Sequence, residues 1–296
     1  MLPVAYTGQG AGGKGREAPL LGMKLAPCPP CSLPRPLTNP QPGYTISVMR
    51  HPPFEVLAHD ELPAAAAELF LSAAQNAIAE KGEAHVAISG GSTPRALFRL
   101  LATPAWRKRI PWARLHLWWV DERCVPPDDP NSNYGVAFHL LLQHLSVSNV
   151  HRIHGETPDP AQAARAYEDE ITRRFGLGLF DWPRFDLVLL GMGSDGHTAS
   201  LFPGSPALEE SKALVTVGEA PVFPHRRITL TLPVLNHAAF VLFLVAGAGK
   251  GPALAQVFSS SPPRPLLPAA RVRPTAGHLL WLLDEAAATA AGLMPG

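Results

Sequence analysis

FDLVLLGMGSDGHTASLFPG, residues 185–204, joins an apolar run to a glycine-rich turn, and this junction decides how the chain is read. Leu187-Val188-Leu189-Leu190 is continuously apolar rather than alternating, which is the pattern of a strand buried on both faces. Gly191, Gly193 and Gly196 then allow backbone angles that other residues resist. The turn delivers one acid, Asp195, and one imidazole, His197. It sets them at the mouth of a sheet, where catalytic groups of α/β proteins sit.

Gly191, Gly193 and Gly196 also satisfy G-x-G-x-x-G, the dinucleotide fingerprint. That motif needs a long helix directly after the glycines, with its N-terminus against a pyrophosphate. Here Pro203-Gly204 and Pro206 interrupt the chain within about two helical turns of Gly196. No second strand ending in an acidic residue follows at the right distance. A nicotinamide cofactor is therefore not expected.

Outward from this stretch, helical and strand patterns alternate. Helices are expected over 62–79, 94–101, 134–145, 160–174, 251–257 and 285–291, with Asn131 or Ser132 as cap of the third. Strands are expected over 85–89, 115–120, 185–190, 213–217, 227–232, 239–245 and 278–283. The alternation predicts an α/β fold, a mostly parallel doubly wound (modified Rossmann-like) sheet with helices on both faces. Residues 1–45 are rich in Pro and Gly without a sustained apolar period. They read as a disordered extension ahead of a single α/β domain over 46–296.

The chain has 296 residues, 46% hydrophobic and 17% charged, enough for a substantial core. A net charge of +1 without a basic stripe disfavours nucleic-acid binding. No apolar run approaches the roughly 18 residues that span a bilayer. Cys28-Pro-Pro-Cys31 has metal or redox spacing but lacks a second ligand pair and a strand-then-helix context, so it reads as two reduced thiols. With Cys124 as the third cysteine, the usage suits a reducing cytoplasm. His151-x-x-His154 has no carboxylate framework around it and reads as structural or surface histidines; no metal is expected.

Three further loops are expected at the carboxyl ends of strands, where open α/β sheets bind ligands. Ser89-Gly90-Gly91-Ser92-Thr93 runs into a helix, an arrangement that presents backbone N–H groups and hydroxyls to an anion. Asp121-Glu122-Arg123 follows a Trp-Trp-Val core strand. Arg123 has the fork geometry to clamp a phosphate, and Asp121 either holds Arg123 or ties down another loop. Gly247-Ala248-Gly249-Lys250 puts an ammonium after another buried strand. Arg226 and Arg227 precede a strand, which leaves two placements open, the same crevice or the opposite end of the sheet.

Four segments together resemble the 6-phosphogluconolactonase family, within the wider glucosamine-6-phosphate isomerase/deaminase-like superfamily. They are Ala87-Ile88-Ser89-Gly90-Gly91-Ser92-Thr93-Pro94; Trp119-Val120-Asp121-Glu122-Arg123 with Asn131-Ser132-Asn133-Tyr134; the 191–204 segment; and Arg227-Ile228-Thr229-Leu230-Thr231. The resemblance implies hydrolysis of 6-phospho-D-glucono-1,5-lactone in the oxidative pentose phosphate pathway, with no required cofactor. Its partner would be the phosphorylated sugar lactone, with no nucleic acid and no membrane, in a monomer or weak homo-oligomer. The deaminase branch shares the Asp-Gly-His turn but continues Ile-Ala-Phe-Asn, whereas this chain continues Thr198-Ala199-Ser200-Leu201-Phe202-Pro203. A non-catalytic sugar-phosphate sensor would usually add a DNA-binding domain, and no helix-turn-helix pattern appears.

The roles expected on this basis are His197 as general base and Asp195 as its orienting partner. Ser89, Gly90, Gly91, Ser92, Thr93, Asp121, Arg123, Gly191, Gly193, Arg227 and Lys250 form the substrate and phosphate site, with glycine-turn N–H groups facing the developing oxyanion. Met49 lies just before the globular pattern, so the preceding residues are expected to reflect an upstream start codon. N-terminal sequencing of the native protein checks this; an intact Met1 start rejects it.

Overall fold

The structure, a computed structural model, describes residues 52–294; the segment bearing Cys28, Cys31 and Met49 lies outside the described residues. In chain order the elements begin β1 (Phe54–Leu57), α1 (Leu62–Lys81), β2 (Ala84–Ile88), α2 (Ser92–Leu101) and α3 (Pro104–Arg109). There follow β3 (Leu115–Trp119), β4 (Asp121–Arg123), α4 (Asn133–Leu140), β5 (Val150–His151), α5 (Pro160–Phe175) and β6 (Leu187–Leu190). The chain continues through β7 (Val215–Glu219), β8 (Arg226–Leu230), α6 (Leu232–His237), β9 (Phe240–Val245) and α7 (Gly251–Val257). It closes with α8 (Pro268–Arg271), β10 (His278–Asp284) and α9 (Glu285–Ala290).

Seven strands form one sheet in the order β1-β10-β9-β6-β2-β3-β5, and each neighbouring pair is parallel. All residues of β2, β3 and β6 are buried; β6 is apolar throughout, while β2 and β3 are apolar except for one histidine each, His85 and His116. Trp118, Trp119, Phe243 and Trp281 fill the core, and the Phe243 and Trp281 rings stack with centroids 3.7 Å apart. From β2 the chain builds toward β3 and β5, and from the adjacent β6 it builds the opposite way toward β9 and β10. The carboxyl ends of β2 and β6 therefore flank the switch point where such sheets bind ligands.

The strands expected at 213–217 and 227–232 exist, but outside the main sheet. They are β7 and β8, an antiparallel hairpin to which β4 adds as a third strand in the order β4-β8-β7. Sequence alternation misses this because Asp121-Glu122-Arg123 lacks a strand's apolar pattern. Val120 makes the crossing between sheets, donating to Ile88 O (3.0 Å) and accepting from Leu230 N (2.8 Å). The helix expected to reach 145 stops at Leu140, because Leu141 leaves helical geometry and a 3-10 turn follows. Its cap is Ser132, whose Oγ accepts from Gly135 N (3.0 Å). The strands β1 and β5 and the short helices α3, α6 and α8 carried no expectation.

Three histidines stack, His85 and His116 near the amino ends of β2 and β3 and His151 at the end of β5. His85 and His116 have ring centroids 4.7 Å apart, and His116 Nδ1 lies 2.9 Å from His151 Nε2. Trp118 donates its indole N–H to His85 Nδ1 (3.1 Å), so that nitrogen carries no proton, and Nε2 faces Glu83 (3.1 Å). Burial lowers both His85 and His116 to about 4, with the Arg174 cation adding to the effect at His116.

An unfolded histidine titrates near 6.5. Between pH ~6.5 and about 4 the unfolded chain binds protons that folded His85 and His116 refuse. Stability is full above this window and falls as pH drops through it, by about 3 kcal/mol for His85 alone. Urea unfolding at a series of pH values should show this decline, with a shallower slope in His85→Asn. A flat profile between pH 7 and 5 would contradict the account.

Candidate active site

The turn after β6 is closed by its own backbone. Gly193 N–H donates to His197 O (2.9 Å) and Gly196 N–H to Gly193 O (3.1 Å). Thr198 Oγ1 donates to Gly191 O (2.8 Å), tying the end of the turn to its start. Asp195 Oδ1 accepts from His197 N (3.2 Å) and lies 2.6 Å from His197 Nδ1. A carboxylate only accepts, so Nδ1 carries the proton and Nε2 keeps its lone pair. Burial pushes the Asp195 carboxyl up, but the His197 ring and N–H outweigh it and hold it below the usual range. Phe202 backs the imidazole, with ring centroids 4.4 Å apart.

Gly193 is needed here for space. A Cβ on it would lie 2.2 Å from His197 Nδ1 and 2.4 Å from Asp195 Oδ1. The expectation that glycine-turn amides face an oxyanion is corrected at Gly193 and Gly196, because both N–H groups are spent within the turn.

The turn opens on a cleft of about 180 Å³ between the carboxyl ends of β2 and β6. It is lined by Ser89, Gly90, Gly91, Ser92 and Thr93 from the β2–α2 junction, Asp121 and Arg123 from β4, Gly191, Gly193 and His197 from the turn, and Lys250. The sequence expectation is thus assembled at one place with two exceptions. Asp195 touches the cleft through His197, and Arg227 stands behind Arg123 as its cross-strand partner. Arg227 does not itself line the cleft; it sits opposite Arg123, which does.

Helix α2 starts at Ser92 without a side-chain cap, so its first N–H groups and dipole are available at the cleft wall. Ser89 Oγ is buried and makes no hydrogen bond within the protein. Arg123 is steadied by donating to Asn131 O. Arg227 is 5% exposed, and its Nε and Nη1 have no protein partner. Burial, and next the Arg123 cation, lower its affinity for its proton. Directly opposed like charges on one face of an antiparallel pair are destabilising.

Asp121 does not hold Arg123; it ties loops together. Its Oδ2 accepts from Ser200 Oγ (2.7 Å) and its Oδ1 from Asn133 Nδ2 (3.3 Å). Neighbouring Glu122, 2% exposed, accepts from the N–H groups of Arg123, Asn133 and Tyr134 (2.7 Å each) and from Ser132 Oγ (3.0 Å). Burial raises its carboxyl even against these donors. Glu122 thereby pins the 131–134 loop and presses Asn133 so close to Gly90 that a Cβ there would sit 1.8 Å from Asn133 Oδ1. Asn133, Met192, Ala199 and Pro94 also line the cleft and were assigned no role from sequence. The Asn131-Ser132-Asn133-Tyr134 motif was the available signal for Asn133; Ala199, at φ 52°, gives none in sequence.

Gly193→Ala should leave the fold intact by far-UV circular dichroism yet displace the His197–Asp195 pair. A displacement of about 1 Å costs on the order of 10²-fold in kcat. Unchanged turnover would show that the pair tolerates the shift.

Residues 58–281 match the family model described as glucosamine-6-phosphate isomerases/6-phosphogluconolactonase. A 6-phosphogluconolactonase of Synechocystis sp. is 43% identical over 213 residues, 71% of this chain and 86% of the relative. One from Nostoc sp. is 42% identical over 222 residues, 74% of this chain and 90% of the relative. The solved 6-phosphogluconolactonase from Trypanosoma cruzi is 30% identical with a TM-score of 0.71, covering 80% of this chain and 96% of that one. With the sheet order, the cleft and the His197–Asp195 turn in place, the chain belongs to the glucosamine-6-phosphate isomerase/6-phosphogluconolactonase family.

Proposed function

We propose that this chain hydrolyses 6-phospho-D-glucono-1,5-lactone to 6-phospho-D-gluconate by attack of water on the lactone carbonyl, with His197 as general base. The observation that carries the reading is the His197–Asp195 pair, 2.6 Å apart, on the rim of a small cleft that also gathers two cationic side chains and a helix N-terminus. Nε2 takes the proton from water as the oxygen bonds to the carbonyl carbon. Asp195 keeps the ring in the right tautomer and stabilises the imidazolium that forms. The tetrahedral intermediate collapses by expelling the ring oxygen, which takes the proton back from His197 and becomes a hydroxyl. The new acid ionises to carboxylate.

The remainder of the cleft suits a phosphorylated substrate. Ser89, Gly90, Gly91, Ser92 and Thr93 offer hydroxyls and helix-start N–H groups to a dianion. Arg123, backed by Arg227, and Lys250 supply the charge. An anion against the Arg123–Arg227 pair relieves the repulsion between two facing guanidiniums and engages donors that the protein leaves unpaired. Phosphate binding then orients the carbonyl against His197 and converts remote binding energy into rate.

Purified protein should hydrolyse freshly generated 6-phosphogluconolactone above its spontaneous rate, and His197→Ala should fold normally while losing about 10²–10⁴-fold in kcat. Near-wild-type kcat in the variant would remove His197 from the mechanism. Without wild-type acceleration, ammonia release from glucosamine 6-phosphate becomes the test. Arg123→Ala should chiefly raise KM; an unchanged KM would make Arg123 structural.

A further inference from the structure

Lys250 sits on Gly247-Ala248-Gly249-Lys250-Gly251, a segment whose glycines give it little rigidity of its own. Its order comes from elsewhere. Asp284 stands at the carboxyl end of β10, the strand between β1 and β9, and is 2% exposed. Its carboxylate ties down the segments that leave all three strands. It accepts from Gly247 N with both oxygens (2.9 and 3.0 Å), beyond β9. It accepts from Ala287 N (2.8 Å) as cap of its own helix α9, and it lies 2.9 Å from His59 Nδ1, beyond β1.

From Asp284 to Lys250 the path is two hydrogen bonds long. The carboxylate holds Gly247 N, and Gly247 O accepts from Lys250 N (3.0 Å). Gly247 has φ +95°, a left-handed geometry that needs an outside restraint to select it among a glycine's many options. On the other side of Lys250, Gly251 packs against α9 so tightly that a Cβ would lie 2.5 Å from Ala290 Cβ. Asp284 caps that same helix. One flank of Lys250 is thus held directly by Asp284, and the other packs on the helix that Asp284 caps. Burial alone would raise this carboxyl, but the Gly247 and Ala287 N–H groups outweigh it and keep it ionised.

We propose that Asp284 is a positioning residue for Lys250, holding the ammonium where it meets the anionic end of the substrate without touching substrate itself. The proposal rests on Lys250 binding the phosphate. It concerns binding and not the proton transfer at His197, so its mark is a rise in KM with kcat preserved.

The test is a double-mutant cycle on hydrolysis of freshly generated 6-phosphogluconolactone. Asp284→Ser keeps a helix-capping hydroxyl for α9 but shortens the reach to Gly247. It should raise KM about tenfold and leave kcat within about twofold, the worth of one charge-assisted hydrogen bond. In a Lys250→Ala background the same change should move KM by less than about twofold, because the group it positions is gone. Asp284→Asn keeps the volume and one acceptor oxygen, and should shift KM in the same direction by less. It carries the test if Asp284→Ser fails to fold by circular dichroism. The proposal is overturned if folded Asp284 variants keep the wild-type KM, if they lose kcat instead, or if their effect is as large without Lys250 as with it. If Lys250→Ala alone leaves KM unchanged, the phosphate role of Lys250 fails and the proposal with it, an outcome distinct from a failure at Asp284.

Discussion

Two parallel strands, β2 and β6, lie side by side in the middle of the sheet, and the chain departs from them in opposite directions. Helices and loops that leave a sheet this way cannot close over the point of divergence, so a crevice is left at the carboxyl ends. The other site features depend on it. The β2–α2 junction supplies one wall and the 191–197 turn the other, with no long insertion needed to build either. The small antiparallel sheet hangs from the same place, because Val120 bonds to the last residue of β2 on one side and the last of β8 on the other. Arg123 and Arg227 are brought to the crevice by that single crossing.

The electrostatics of the region have a consistent sign. Carboxylates near the cleft are engaged as acceptors within the protein. Asp121 is held by Ser200 and Asn133, Glu122 by three backbone N–H groups and a hydroxyl, and Asp195 by His197. Cationic donors are left with capacity to spare, most of all at Arg227. A buried charge without a partner is costly, and an anion at the cleft, as proposed for the phosphate, would offset that cost at Arg227. Preorganisation of this kind is also what makes electrostatic stabilisation effective, since the groups need not reorient when charge arrives.

Histidine is used in two opposite ways. At the amino ends of the strands, His85 and His116 are buried among aromatic rings and stay neutral because charging them would require desolvating an imidazolium. At the carboxyl end, His197 is partly exposed, paired to a carboxylate and open at Nε2. Residue type alone does not separate these two environments; depth, partner and the end of the sheet do.

Local sequence was enough for the α/β class, the main-sheet strands β2, β3, β6, β9 and β10, and the clustering of Ser89, Gly90, Gly91, Asp121, Arg123, His197 and Lys250 at one end of the sheet. Continuous apolar runs specify strands buried on both faces, and glycine turns after them specify loops at their carboxyl ends. Long-range packing selected the strands that leave the main sheet. Whether β7 and β8 join it depends on partners far away in the chain, and the polar β4 gains strand geometry only by pairing with β8. Packing also assigned the purpose of individual groups. Gly193 and Gly90 prove to be spaces for His197 and Asn133, Asp121 a tie between loops, and Asp284 the anchor of a loop 37 residues earlier. Each of these depends on contact between segments distant in sequence, for which periodicity and spacing carry no signal.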